Sequence, residues 1–179
     1  MDAAIAIYAS AAVLLVIAGA VKLARPATTA ALLDELGAPA VGPIDGVRLT
    51  VLLGVAEIGL GVAALVAELA AIALLVGLLY AGFALTVLRA MRLGAGSCGC
   101  FGRVDAPPSW WHVVGNVVLA ACAFVAATGR SPLEVMDGQP AGGVGFVAIV
   151  GVLAGLELVV FTSLPAAMEA RRPARATRS

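Results

Sequence analysis

Residues 96–102 read Gly-Ser-Cys-Gly-Cys-Phe-Gly, and they set two thiols, Cys98 and Cys100, one residue apart. A disulfide between such close neighbours closes a very small ring, and the geometry of an S–S bond is demanding. The ring would be strained and easily reduced. Gly99 carries no Cβ and gives the backbone freedom to close it. Arg103, with Arg92 upstream, favours the thiolate form of a nearby cysteine. These features suit a reversible dithiol. Two other readings stand beside it: a glycine-rich turn whose thiols are idle, and a metal site, since thiolates are good soft ligands. A closed zinc site needs four ligands, and only Cys122 and His112 offer further soft donors. Cys122 lies ~20 Å along a helix from the thiol segment and His112 is ~15 Å from Cys122, so the four cannot gather without breaking that helix. No metal is expected, and redox chemistry is the favoured reading. Cys122 itself is expected to be a small buried apolar residue.

Two carboxylates stand inside long apolar runs, Glu57 and Glu157. Intramembrane carboxylates are costly and tend to be functional; the structural alternative is an interhelical hydrogen bond. Glu57 is expected to face other helices, with Lys22 or Thr50 nearby. An ion pair with Lys22 requires the two helices to be offset, and the simplest expectation for Lys22 is that it snorkels to the surface. Asn116 is expected to bond helix to helix. His112 follows Trp110 and Trp111 where a helix enters the membrane, so it is expected at the surface, although a histidine there could also shuttle thiol protons.

The elements that must carry these residues follow from composition. Of 179 residues, 62% are hydrophobic and 12% charged, with a mean hydropathy of +1.07. Soluble domains carry about 25% charged residues, so this chain is an integral membrane protein whose partner is the lipid bilayer. Formal net charge is zero, which leaves no global field to attract nucleic acid. Three cysteines are too few for a secreted disulfide framework. Only Asp2 precedes the first apolar run, without the positive region of a cleavable signal, so that run is expected to remain as a helix. The fold class is all-α: a polytopic transmembrane helical bundle forming one domain over residues 1–168, with a basic disordered tail at 169–179. Five spans are predicted at about 3–21, 47–67, 70–90, 110–128 and 143–164. The second and third form a hairpin around Glu68. Residues 27–37 set Leu32, Leu33 and Leu36 against Asp34 and Glu35, as in a short interfacial helix. Gly151 and Gly155 form a small-xxx-small pair that permits close helix approach, and Gly54, Gly59 and Gly61 offer the same in the second span.

Several of these residues fall in segments that resemble a known family. They are Ala18-Gly-Ala-Val-Lys-Leu23, Leu53-Gly-Val-Ala-Glu-Ile-Gly59 and Ser97-Cys-Gly-Cys-Phe-Gly102, together with the fourth span and its Asn116. Over roughly residues 3–128 the chain resembles the MauE-like branch of the DoxX-like membrane proteins, and the fifth span looks like an addition. The resemblance implies a four-helix membrane core linked to thiol redox. It also implies a thioredoxin-like partner and a role in maturing a disulfide-rich periplasmic client, as in methylamine utilisation. The expected function is therefore a membrane thiol–disulfide redox component. With one thiol pair only, a relay across the membrane needs a quinone or a partner as its second station. The alternative is a non-redox transporter or assembly scaffold that uses Glu57 and Glu157.

Sidedness follows from the Lys/Arg bias. With five spans, Lys22, Arg25, Arg48, Arg89, Arg92, Arg103, Arg171, Arg172, Arg175 and Arg178 fall on or near one side, and Arg130 falls on the other. This predicts an inner-membrane protein with an external N-terminus, a cytoplasmic C-terminus and a cytoplasmic thiol segment. Reporter fusions after residues 95 and 138 are expected to report cytoplasm and exterior respectively. The reverse pattern would place the thiols on the oxidising side, where disulfides persist.

Overall fold

The computed structural model describes residues 2–37, 45–96 and 107–163. Cys98, Cys100, Arg103 and the 169–179 tail lie outside the described residues. Among the described residues there are helices, turns and short irregular links, and no strand. Helix α1 spans Asp2–Ala24, α2 Pro26–Glu35, α3 Gly46–Val66, α4 Ala70–Leu93, α5 Trp110–Ala126, α6 Pro132–Asp137 and α7 Val144–Thr162, with a 3₁₀ turn at Pro140–Gly143 before α7. Four of them, α1, α3, α4 and α7, are long and apolar enough to cross a membrane. With 17 residues, α5 is ~26 Å long, at the lower limit of the usual spanning range.

Local signals set the helix ends. Pro26 opens α2 at a position whose N–H would have no helical partner. Asp45 caps α3 by accepting from Arg48 N at 2.7 Å. Gly94 ends α4 in the left-handed region, at φ +70°, and the next residue's N–H returns to Ala90 O at 3.0 Å. That return bond closes the helix and satisfies a terminal carbonyl. Ser131 and Glu134 form a reciprocal capping box at α6.

The arrangement is built around α1. In α1, 61% of the most apolar stretch is buried, against 17% in α7. Helix α1 packs on α3, α5 and α7, while α4 packs chiefly on α5. The hairpin expected for the second and third spans is present as a three-residue link, Ala67–Leu69, yet α3 and α4 touch each other little. Each turns instead to a different partner. The chain alternates direction, so the C-terminal ends of α1, α4 and α7 meet the N-terminal ends of α3 and α5 at one end of the bundle. We call this the Lys22 end. Gly96 and Pro107, the described residues on either side of the thiol pair, are at this same end. Helix α2 lies here too, with Leu32 and Leu36 packed on Ala90, so its apolar side meets protein.

Large apolar side chains that no helix covers, such as Leu52, Val55, Leu78, Leu85, Val152 and Leu156, face outward. In a multi-pass membrane protein these positions meet acyl chains, and the backbone polar groups beneath them are satisfied within the helices. Trp110 and Trp111 are exposed at the start of α5, where interfacial aromatics anchor a helix.

Close helix approach occurs along α1 and α3. A Cβ at Gly19 would stand 2.5 Å from Gly54 O, and one at Gly61 would stand 2.6 Å from Ala12 O. The small residues that matter are thus Gly19, Gly54 and Gly61. Among the described residues Gly59, Gly151 and Gly155 have no atom within 4 Å of such a Cβ, so the expected small-xxx-small contact of the last span is not made by any of the described helices. Gly61→Leu is accordingly expected to lower unfolding stability by about 1–3 kcal/mol through overpacking. Gly155→Leu should be close to neutral. Thermal unfolding of the two variants in the same detergent checks the contrast.

Candidate functional site: a buried ion pair between two helices

Lys22 Nζ donates to Glu57 Oε2 at 2.9 Å, and the two side chains are 4% and 0% exposed. The glycine contacts explain how they meet. In antiparallel α1 and α3, the approaches at Gly19, Gly54 and Gly61 set Lys22 about one turn, ~5.4 Å, from Glu57 along the axis. Side chains lean toward the N-terminus of their own helix. In an antiparallel pair these leanings converge, so Lys22 reaches into the bundle while Glu57 reaches toward the Lys22 end. The offset required by the sequence is thereby met, and Lys22 does not snorkel to the surface. Its ammonium also lies 5.7 Å from the centroid of the Phe83 ring, within cation–π range. The other oxygen, Glu57 Oε1, is buried with no hydrogen-bond partner. Thr50, also buried, donates to Gly46 O at 2.8 Å within its own helix.

Beside the pair lies a small cavity of about 20 Å³ lined by Leu15, Lys22, Tyr80, Phe83, Asn116 and Phe161, among others. Tyr80 Oη donates to Ala11 O at 2.7 Å, which fixes the ring against α1. Asn116 is buried, and its Nδ2 donates to His112 O at 2.7 Å. That bond runs within α5, whereas a bond between helices was expected.

His112 departs most from the sequence reading. It is 1% exposed. Its Nδ1 accepts from Ser109 N at 3.2 Å, and its Nε2 lies 2.8 Å from Phe161 O. A ring whose Nδ1 accepts and whose Nε2 faces a carbonyl is the neutral tautomer protonated on Nε2. The side chain caps α5 and ties it to the end of α7. The signal was present as Ser109-x-x-His112, a variant of the capping box, with histidine in the place of the usual acid or amide.

Arg89 braces the same end. Its Nε and Nη2 donate to Leu36 O at 3.0 and 2.7 Å, joining the C-terminal end of α2 to the last turns of α4. Nothing in the sequence beyond its charge singles out Arg89. Gly96 and Pro107, which flank the thiol segment, therefore extend from helix ends held by side-chain bonds.

Glu157 stands apart from this cluster. Its Oε1 lies 2.7 Å from Ser10 Oγ of α1. Cys122 is a free thiol of intermediate burial in α5, more exposed than expected. Among the described residues no group of three His, Cys, Asp or Glu side chains could hold a metal ion. The structure thus brings Lys22, Glu57 and Asn116 to one region and sets Glu157 in another.

A family model described as methylamine utilisation protein MauE matches residues 2–129. No curated protein and no solved structure gives a significant match. The matched segment contains α1 to α5 and leaves out α6 and α7.

The ion pair generates a coupling prediction. Removing one partner of a buried pair strands the other charge and typically costs about 3–5 kcal/mol, whereas apolar replacement of both can be nearly neutral. Lys22→Met and Glu57→Leu are each expected to destabilise the protein strongly. The double variant should recover most of the loss. Additive losses in the double-mutant cycle, measured by unfolding in detergent, would show that the two groups are not coupled.

Proposed function

The chain belongs to the MauE family, and from that premise we propose that it is a membrane thiol–disulfide redox component that exchanges electrons with a thioredoxin-like partner through Cys98 and Cys100. The observation that carries this reading is the Cys-Gly-Cys spacing in the segment between α4 and α5. Its support is mechanical. Arg89 and His112 fasten the helix ends that flank it.

The exchange balances without a metal. A thiolate of the partner attacks one sulfur of an oxidised Cys98–Cys100 pair and forms a mixed disulfide, releasing the other cysteine as thiolate. The partner's second thiolate then attacks its own sulfur in that mixed disulfide. The partner leaves oxidised, and Cys98 and Cys100 are left reduced. Two electrons and two protons have moved, and the reverse sequence reduces the partner. Arg103 stabilises the thiolate stage. The chain has three cysteines in all, so the two electrons pass on to a membrane quinone or a second soluble dithiol. With the orientation given by the basic residues, the segment meets a cytoplasmic thioredoxin-like partner, and an exported client is served only by relay across the inner membrane.

The scaffold reading is favoured at one point: Lys22 already neutralises Glu57, so that pair acts in holding helices together. It is compatible with redox chemistry at Cys98 and Cys100.

Cys98→Ser and Cys100→Ser are each expected to abolish disulfide maturation of the client. One of them should accumulate a mixed disulfide with a thioredoxin-like protein, visible by non-reducing electrophoresis. Cys122→Ser should retain activity, because ~18 Å of helix separates it from the start of α5. Normal maturation in both loop variants would overturn the proposal.

A further inference from the structure

Ser10 is fully buried in α1. Its Oγ lies 2.8 Å from Ile7 O and 2.7 Å from Glu157 Oε1. A hydroxyl has one proton to donate. Ile7 O is a carbonyl and can only accept, and a serine that donates back to its own helix is common. With the Ser10 proton directed to Ile7 O, the contact with Glu157 has a donor only if the carboxyl group carries a proton. Serine then accepts and the acid donates, and both short contacts are hydrogen bonds.

The surroundings favour the same state. Glu157 Oε2 is buried and has no hydrogen-bond partner, which a neutral carbonyl oxygen bears better than an ionised one in a bilayer. Among the described residues no cation faces the group. In α7 it is the sole titratable side chain; α1 contributes Tyr8 and Lys22, and Lys22 is committed to Glu57. From α5 the thiol of Cys122 lies within electrostatic range and His112 is engaged by Ser109 and Phe161. The charged residues of α6, Glu134 and Asp137, are acidic. Glu57 is the opposite case, a carboxylate whose cation is in contact.

We propose that Glu157 and Ser10 form a proton-binding site within the membrane, carried by the helix that lies outside the family-matched segment. Its ligand is a proton, held as a carboxylic acid O–H donating to Ser10 Oγ. The two intramembrane carboxylates therefore have different roles: Glu57 is neutralised by a fixed lysine, and Glu157 by an exchangeable proton. The site is independent of the thiol chemistry.

Infrared spectroscopy of the full chain in lipid bilayers at neutral pH tests this. The carbonyl stretch of a protonated carboxylic acid is expected, lost in Glu157→Gln and unchanged in Glu57→Gln. In Ser10→Ala the band should persist and move to higher frequency, because its hydrogen bond is gone. That variant keeps the test open if Glu157→Gln folds poorly. Loss of a carboxylate band in Glu157→Gln, or an acid band that Ser10→Ala leaves in place, would overturn the proposal.

Discussion

The Lys22–Glu57 pair is the constraint on which the rest of the bundle depends. Neither charge is tolerable alone away from water, so each requires the other within contact distance. That contact requires α1 and α3 to lie almost backbone to backbone, which Gly19, Gly54 and Gly61 permit. It also fixes how far one helix slides along the other, because a shift of one turn would part the charges. Dispersion between apolar helices would accept several registers. The ion pair admits one.

With α1 and α3 locked, α1 becomes the central post. Its remaining faces receive α5 and α7, and α4 joins through α5. Side-chain bonds at the Lys22 end add to this packing: Arg89 holds the end of α2, and His112 holds the end of α7. At the opposite end Tyr8, Glu68, Arg130 and Glu134 surround one crevice.

Much of this was legible in the sequence, and the rest was not for identifiable reasons. The long apolar runs gave α1, α3, α4 and α7 within a few residues, because span length is set by the bilayer. The pairing of Lys22 with Glu57 was visible as a chemical need, but sequence spacing carries no information about the register between two helices. Gly151 and Gly155 show the same gap. Their spacing marks a face that could admit a neighbour, and none of the described helices occupies it. His112 was misjudged because its position beside two tryptophans outweighed the capping pattern with Ser109. Ser10 gave no signal at all: a lone hydroxyl in an apolar helix becomes informative only once Glu157 is placed against it. Cys98, Cys100 and Arg103 are known by their spacing alone.

The central claim is that Cys98 and Cys100 change oxidation state together. The most direct measurement is thiol alkylation in native membranes before and after reduction, read by mass spectrometry for each cysteine. The account predicts that Cys98 and Cys100 are protected together, become reactive together on reduction, and are protected again when an oxidised thioredoxin-like partner is supplied, while Cys122 is unaffected throughout. If Cys98 and Cys100 are freely alkylated under every condition, the account is contradicted.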